Sequence, residues 1–290
     1  MRSTKLFWWA PSRSIRALVP ELRSNPGVWA RLAVSSRRLL KNFGDEFSPM
    51  ALEYATGRRV EWAPLGSADV VAIGSVLDLA IEAQSDALYW GTGARGPLNG
   101  VSLSSFDTSR VLAVRGPLTA DAIGHPDSTL GDPGLLISEF IAKADRRKKL
   151  NHRVFVPHFR TWASAAGRQE IRIARSSGYS IVEPTRSPIA VARQIASAQF
   201  VASSSLHGLV FAHSLGTPVQ MVLPTGGEDP FKYRDYFSSM ELPFDPITID
   251  SLVLPSTVSQ RFAALERDAK VAATNAAALS EGLLRAASRA

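Results

Sequence analysis

Five segments carry residues suited to chemistry. Ser203-Ser204-Ser205-Leu206-His207-Gly208 sets three hydroxyls, an imidazole and a glycine where the strand-like run Phe200–Ala202 meets the helical pattern Leu206–Leu215. Histidine titrates near neutrality, so His207 suits general acid or base work; the alternative is a helix cap beside a satisfied core histidine. Val156-Pro157-His158 ends another strand-like run and supplies a second imidazole. Arg115, in Val114-Arg115-Gly116-Pro117, stands between a strand and a helix start. Its guanidinium suits bidentate capture of a carboxylate or phosphate, or else an interdomain salt bridge. Asp45, in Asn42-Phe43-Gly44-Asp45-Glu46, precedes an apolar helical pattern and can cap that helix or meet a ligand hydroxyl. Lys232 follows the last strand and the Thr225-Gly226-Gly227 loop, placed either at a surface helix start or near the same cleft.

Other motifs point less directly to chemistry. Gly91-Thr92-Gly93-Ala94-Arg95-Gly96 matches the dinucleotide-binding pattern letter for letter. Pro97, Asn99 and Gly100 follow where a helix should continue, so it reads as a glycine-rich loop after a strand, either a tight turn or a close approach to a ligand. Gly131-Asp132-Pro133-Gly134 reads as a turn, and His213 as a packed helix residue on a different face from His207. His125 and His152 fall in loop and linker contexts. The spacing of His, Asp and Glu matches no metal site, and metal-independent turnover is expected.

The elements that must position these residues alternate in type, the rhythm of parallel sheets, and the fold class is α/β. Strand candidates in the first half are Lys5–Trp9, Asp69–Ile73, Ala87–Trp90 and Arg110–Val114, with a short helix at Pro117–Ile123. The second half predicts strands at Arg153–Pro157, Ser180–Glu183, Phe200–Ala202 and Val219–Leu223. Helices are predicted over Thr161 to about Ser176, Ile189–Ala196 and Leu206–Leu215. The charged segment Lys143–His152 is the expected linker, and Ser256–Ala290 carries one or two amphipathic helices packing on the body.

With 290 residues, 45% hydrophobic and 20% charged, the chain is globular and long enough for two domains. It has no cysteine, which excludes thiolate catalysis and iron–sulfur or Cys-based zinc sites, and makes the cytosol the expected compartment. Leu6-Phe7-Trp8-Trp9-Ala10 stops at Pro11, too short for a signal peptide, and no run approaches a membrane span. The net charge of +7 is concentrated in the first 41 residues, where nine Lys and Arg face only Glu21. The basic helical insert Ser14–Leu40 reads as a solvated helix or as a surface for anions. It lacks a nucleic-acid reading module and is better explained by peripheral contact with lipid phosphates at the inner membrane face.

Taken in order, several short motifs resemble the polysaccharide pyruvyl transferase family. They are Leu6-Phe7-Trp8-Trp9, Asn42-Phe43-Gly44-Asp45, Val71-Ala72-Ile73-Gly74-Ser75, Trp90-Gly91-Thr92-Gly93, Val114-Arg115-Gly116-Pro117-Leu118-Thr119, Leu130-Gly131-Asp132-Pro133, Ser204-Ser205-Leu206-His207-Gly208 and Gly216-Thr217-Pro218-Val219. The first two look most like the branch that decorates bacterial exopolysaccharides. The resemblance implies two Rossmann-like domains facing a cleft in a GT-B-like arrangement: 1–142 on the acceptor side, 143–255 on the donor side, then helices over 256–290. It also implies transfer of a pyruvyl group from phosphoenolpyruvate to two hydroxyls of a sugar, with no cofactor. The acceptor is a sugar, in one form a lipid-linked oligosaccharide. Many members read Arg-Leu-His where this chain has Ser205-Leu206-His207, so one cationic contact is expected to be missing or replaced.

Phosphoenolpyruvate is a compact anion that needs cations and helix N-termini, and ketal formation needs an acid and a base. The expected donor contacts are Arg115, Lys232, Ser204, Ser205 and Gly208. The expected proton-transfer groups are His207, with His158 or Asp45 assisting, and the acceptor side falls on Asn42, Gly44 and Gly93. Two competing readings are a GT-B nucleotide-sugar glycosyltransferase, distinguished by its donor, and a non-catalytic glycan-binding protein insensitive to phosphoenolpyruvate.

Overall fold

In the computed structural model, residues 3–13, 41–147, 150–162, 164–225, 227–253 and 255–289 are described, with isolated helical positions 19, 23, 26 and 30. The insert Ser14–Leu40 otherwise lies outside the described residues, as do Lys148 and Lys149 of the expected linker. The apolar runs of the first half form a parallel sheet from β1 (Thr4–Phe7), β2 (Val60–Trp62), β3 (Val70–Val71), β4 (Leu88–Thr92) and β5 (Val111–Val114), in the order β2-β1-β3-β4-β5. The edge strand β2 was not expected: Val-Glu-Trp is short and half-exposed, so it shows no apolar run. The second half forms another parallel sheet from β6 (Leu150–Val156), β7 (Tyr179–Ile181), β8 (Ala198–Ser203) and β9 (Val219–Met221), in the order β7-β6-β8-β9.

Helices in the first half are α1 (Ser48–Thr56), α2 (Leu77–Glu82) and α3 (Pro117–Ala122); in the second come α4 (Lys143–Arg147), α5 (Ala165–Ser176), α6 (Pro188–Ser197), α7 (Leu206–Ser214), α8 (Phe231–Ser239) and α9 (Pro255–Ala287). Their ends follow local chemistry. Ser164 and Ser187 accept backbone N–H bonds at the starts of α5 and α6, Pro117 and Pro188 occupy first turns, and Gly57 ends α1 at φ 67°. The expected linker is more ordered than its charge suggested, since it holds α4, which lies against α6, and the first residues of β6.

Three features tie the sheets together. One apolar cluster contains residues of both, among them Leu6, Trp90, Val154 and Val201. Within it the Phe211 ring of α7 meets Phe43 and Phe47 edge-on at 5.3 and 5.6 Å. Each such buried ring contributes roughly 1.5–3 kcal/mol. Helix α9 is a single helix of 33 residues that packs Phe262 and Leu265 near the second sheet and Leu283 against the first, where Trp90 Nε1 donates to the Leu283 carbonyl at 2.9 Å. Helix α8 also crosses back, its Asp235 accepting from Arg115 after β5 and from the Thr119 backbone in α3. Among the described residues no helix is long and apolar enough to cross a membrane.

Candidate active site

The carboxyl ends of parallel strands are where open α/β sheets bind ligands, and here those of both sheets face one cleft. Trp9 follows β1, Ser75 follows β3 and Arg95 follows β4; His158, Ser205 with His207, and Lys232 follow β6, β8 and β9. Asn42 and Asp45 complete the wall, on a segment tied to the second sheet by the Phe43 N–H donating to the Pro184 carbonyl at 2.9 Å. The structure thus brings together His207, His158, Asp45, Lys232, Ser205 and Asn42.

His207 occupies the first turn of α7, a helix buried all round. Its Nδ1 side lies against Gly44, where a Cβ would fall 1.9 Å from that atom. This close approach explains the glycine in Asn42-Phe43-Gly44-Asp45. The other nitrogen, Nε2, points at Asp132 Oδ2 at 3.9 Å. Neither atom has a hydrogen-bond partner among the described residues, although both are buried. Burial, with Arg115 and Lys232 adding positive charge, lowers His207 to about 3, so it is neutral at pH 7.

His158 is likewise lowered to about 3 by burial and by Lys232, against the pull of Glu228. Its backbone N–H donates to Ser204 Oγ at 3.0 Å and its ring stands 4.8 Å from Phe159, which in turn lies 5.1 Å from Trp9. Asp45 is buried and pushed up to about 7 by that burial, against the hydrogen bond it accepts from Asn42 at 2.6 Å. The cleft therefore pairs neutral imidazoles with a carboxyl that is half protonated near neutrality.

Two cations meet on one carboxylate in the same cleft. Lys232 Nζ lies 2.6 Å from Glu228 Oε2, and Arg160 lies 2.9 Å from Glu228 Oε1. Burial raises Glu228, but His158, Lys232 and Arg160 overcome it and hold the carboxyl near 2. Burial lowers Lys232, and Glu228 opposes that shift.

Other expected contacts do not line the cleft. Arg115 is fully buried: its Nε and Nη2 engage Asp235 at 3.0 Å, Nη1 donates to Ser75 Oγ at 2.7 Å and Nη2 also to the Ala94 carbonyl. The salt-bridge alternative for Arg115 is the observed one, and it reaches the cleft only through Ser75. Gly93 owes its identity to that guanidinium, since a Cβ there would fall 2.3 Å from Cζ. Ser204 Oγ donates to Glu170 at 3.0 Å, away from the cleft. Gly208 packs on β6 and β8, where a Cβ would fall 2.3 Å from Ser203 Oγ. His213 is the packed residue expected, its Nδ1 3.0 Å from the Tyr236 hydroxyl.

Sequence reasoning missed Asp132, Arg160, Glu228 and Ser75. The local sequence around Asp132 has the composition of a turn, yet the residue is 1% exposed, accepts the Gly134 N–H at 2.8 Å, and is pushed up to about 6 by burial. Its signal was available in the motif Leu130-Gly131-Asp132-Pro133, and Arg160 lies two residues beyond His158. Among the described residues no group of three or more His, Asp or Glu is gathered as a metal site.

Comparison with known proteins identifies the family. The family model described as polysaccharide pyruvyl transferase matches residues 5–222. The chain is similar to "Uncharacterized protein L143" of Acanthamoeba polyphaga mimivirus, 36% identical over 115 residues, which cover 38% of this chain and 39% of that protein. It is also similar to the succinoglycan biosynthesis protein ExoV of Rhizobium meliloti (strain 1021), 26% identical over 137 residues, 47% of this chain and 42% of that protein. The alignments thus span roughly two fifths of the length of these relatives.

Proposed function

The chain belongs to the polysaccharide pyruvyl transferase family, and from that premise we propose that it moves the pyruvyl group of phosphoenolpyruvate onto two hydroxyls of one sugar in a bacterial exopolysaccharide or cell-surface glycan precursor. A ketal forms and phosphate leaves. The observation that carries this reading is the convergence of Lys232 and Arg160 on a single carboxylate, beside two neutral imidazoles and a raised carboxyl in one cleft. Cations that hold Glu228 in this way can hold the carboxylate or phosphate of the donor instead. Ser205, at the N-terminus of α7, adds a hydroxyl and the positive end of a helix. Arg115 acts from behind by holding Ser75 and by its charge.

In this reading Asp45, protonated, delivers a proton to the methylene carbon of phosphoenolpyruvate, making the adjacent carbon electrophilic. One sugar hydroxyl attacks that carbon and gives its proton to neutral His207. A second hydroxyl of the same sugar then displaces phosphate, with His158 in reach of its proton. Asn42 holds Asp45, and the Trp9 and Phe159 rings offer an apolar wall to a sugar face. We read the two parallel sheets about one cleft as a GT-B-like pair of domains, 1–142 and 143–255, tied by the helix that follows. The basic segment 14–40 would rest on anionic lipid near a lipid-linked acceptor. Salt-sensitive binding to anionic vesicles, lost on its deletion, is the result expected.

Calorimetric titration of phosphoenolpyruvate tests the donor. Lys232→Ala is a better control than Arg115→Ala, because removing Arg115 strands the buried Asp235 carboxylate at a cost of roughly 3–5 kcal/mol. Saturable binding that weakens at least tenfold in Lys232→Ala and ignores a uridine diphosphate sugar is expected, from the worth of a charge-assisted hydrogen bond, about 1.5–3 kcal/mol. Binding of the nucleotide sugar without binding of phosphoenolpyruvate overturns the reading in favour of a glycosyltransferase.

A further inference from the structure

Asp132 and His207 meet where the loop after β5 passes the start of α7, and each presents to the other a buried atom with no hydrogen-bond partner among the described residues. Unsatisfied buried polar atoms are uncommon and call for a physical reason. The Asp132 carboxylate cannot simply turn away. Its Oδ1 caps the 3-10 helix Pro133–Phe140 through the Gly134 N–H, and Pro133 is wedged against Gly91, where a Cβ would fall 2.3 Å from the proline ring. One oxygen is thus structural and the other is aimed at the imidazole. The separation of 3.9 Å is roughly 1 Å beyond an N–H···O bond, within the looseness common to catalytic contacts in the absence of substrate.

We infer that Asp132 is the positioning residue of His207, holding the neutral imidazole in the tautomer protonated at Nε2, so that Nδ1, on the Gly44 side, carries the lone pair that takes a proton. An ionised carboxylate only accepts hydrogen bonds, so the ring nitrogen facing it is the one that carries hydrogen. Asp132, pushed up to about 6, is mostly ionised at pH 7 and above. The charged and titratable groups around the pair are Arg115 from the end of β5, Lys232 and Asp235 from α8, Asp45 from the 3-10 turn before α1, and the neutral His158 from the end of β6. Arg115 and Lys232 disfavour an imidazolium; the carboxylate of Asp132 stabilises it once the proton arrives on Nδ1. The inference rests on the proposed function for its effect on turnover, but the tautomer itself does not.

The test is a long-range proton–nitrogen correlation spectrum of the 15N-labelled protein without ligand at pH 7.5, with His207→Gln to assign the His207 signals. The native ring is expected to be protonated on Nε2. In Asp132→Asn the amide oxygen keeps the Gly134 bond while its NH2 faces the ring, so the proton is expected to move to Nδ1. A native ring protonated on Nδ1, or an Nε2–H tautomer that survives in Asp132→Asn, overturns the inference. The native spectrum decides the first point even if the variant folds poorly. With phosphoenolpyruvate and an acceptor, Asp132→Asn should lower kcat at least tenfold with KM for the donor changed by less than about threefold, the signature of a wrong tautomer. Failure of phosphoenolpyruvate to bind the native protein would sink the functional reading and leave the tautomer result standing.

Discussion

His207 and His213 lie at opposite ends of α7, both buried and both lowered to about 3, chiefly by burial. At the packed end, His213 has the Tyr236 hydroxyl at 3.0 Å and the rings of Tyr236 and Phe237 about it. At the cleft end, His207 has a bare glycine on one side, a carboxylate too far for a hydrogen bond on the other, and open space in front. Burial and a depressed pKa therefore do not separate a histidine whose bonding capacity the fold uses up from one whose capacity it leaves open. What separates them is whether the ring nitrogens are satisfied by the fold, because a satisfied polar group rigidifies the core while an unsatisfied one retains bonding capacity for a substrate.

The comparison is most exposed at His207. His207→Gln is expected to lower pyruvyl transfer by about 10²–10⁴, the usual worth of a positioned acid or base, with donor affinity by calorimetry nearly unchanged. Native turnover in that variant breaks the distinction outright. Gly44→Ala should follow, because its methyl group would occupy the space of His207 Nδ1 and displace the ring. A loss near 10²-fold is expected from misplacing a catalytic group by about an ångström. A shifted His207 signal would tie that loss to the ring.

His213→Ala probes the other end, leaving the buried Tyr236 hydroxyl without its imidazole partner. It should cost about 1–3 kcal/mol in urea unfolding while turnover of the folded fraction stays within a few-fold. The His213 pKa is depressed in the folded state, so its contribution is complete above pH 6.5 and is lost as pH falls towards 3. The difference in stability between native protein and variant should shrink over that window, and a constant difference would argue against a neutral, buried ring. The smallest effect is expected at Glu228, which touches only the cleft end. Glu228→Gln removes the charge that Lys232 and Arg160 hold, and should tighten phosphoenolpyruvate binding by up to about fivefold, the ~1 kcal/mol worth of an ion pair with one exposed partner such as Arg160–Glu228. Weaker binding would show that Glu228 supports the donor site instead of standing in for the donor.

Much of the fold was legible because strand and helix periodicity are local. Eight of the nine described strands coincide with expected runs to within a few residues, and the ninth, β2, escaped because Val60-Glu61-Trp62 is an edge strand with one charged residue in three. The cleft side chains that follow strand ends, His158, His207 and Lys232, were legible for the same reason: the carboxyl end of a parallel strand can be found from its own sequence. Arg115 shows where that logic stops. It sits at such an end, yet Asp235, 120 positions away, takes its guanidinium out of the cleft. Ser204, at another strand end, turns inward to Glu170.

By itself the sequence determined which segments form strands and helices, which junctions carry imidazoles, cations and glycines, and, through the order of its motifs, the family. Those properties depend on neighbouring residues and on the period of apolar positions. The tertiary structure alone decided which nitrogen of His207 faces Asp132, that Glu228 stands between Arg160 and Lys232, and that Gly44 and Gly93 make room for an imidazole and a guanidinium. Each of these is a contact between segments distant in the chain, brought together by packing two sheets around a shared core, and no local pattern encodes such a distance.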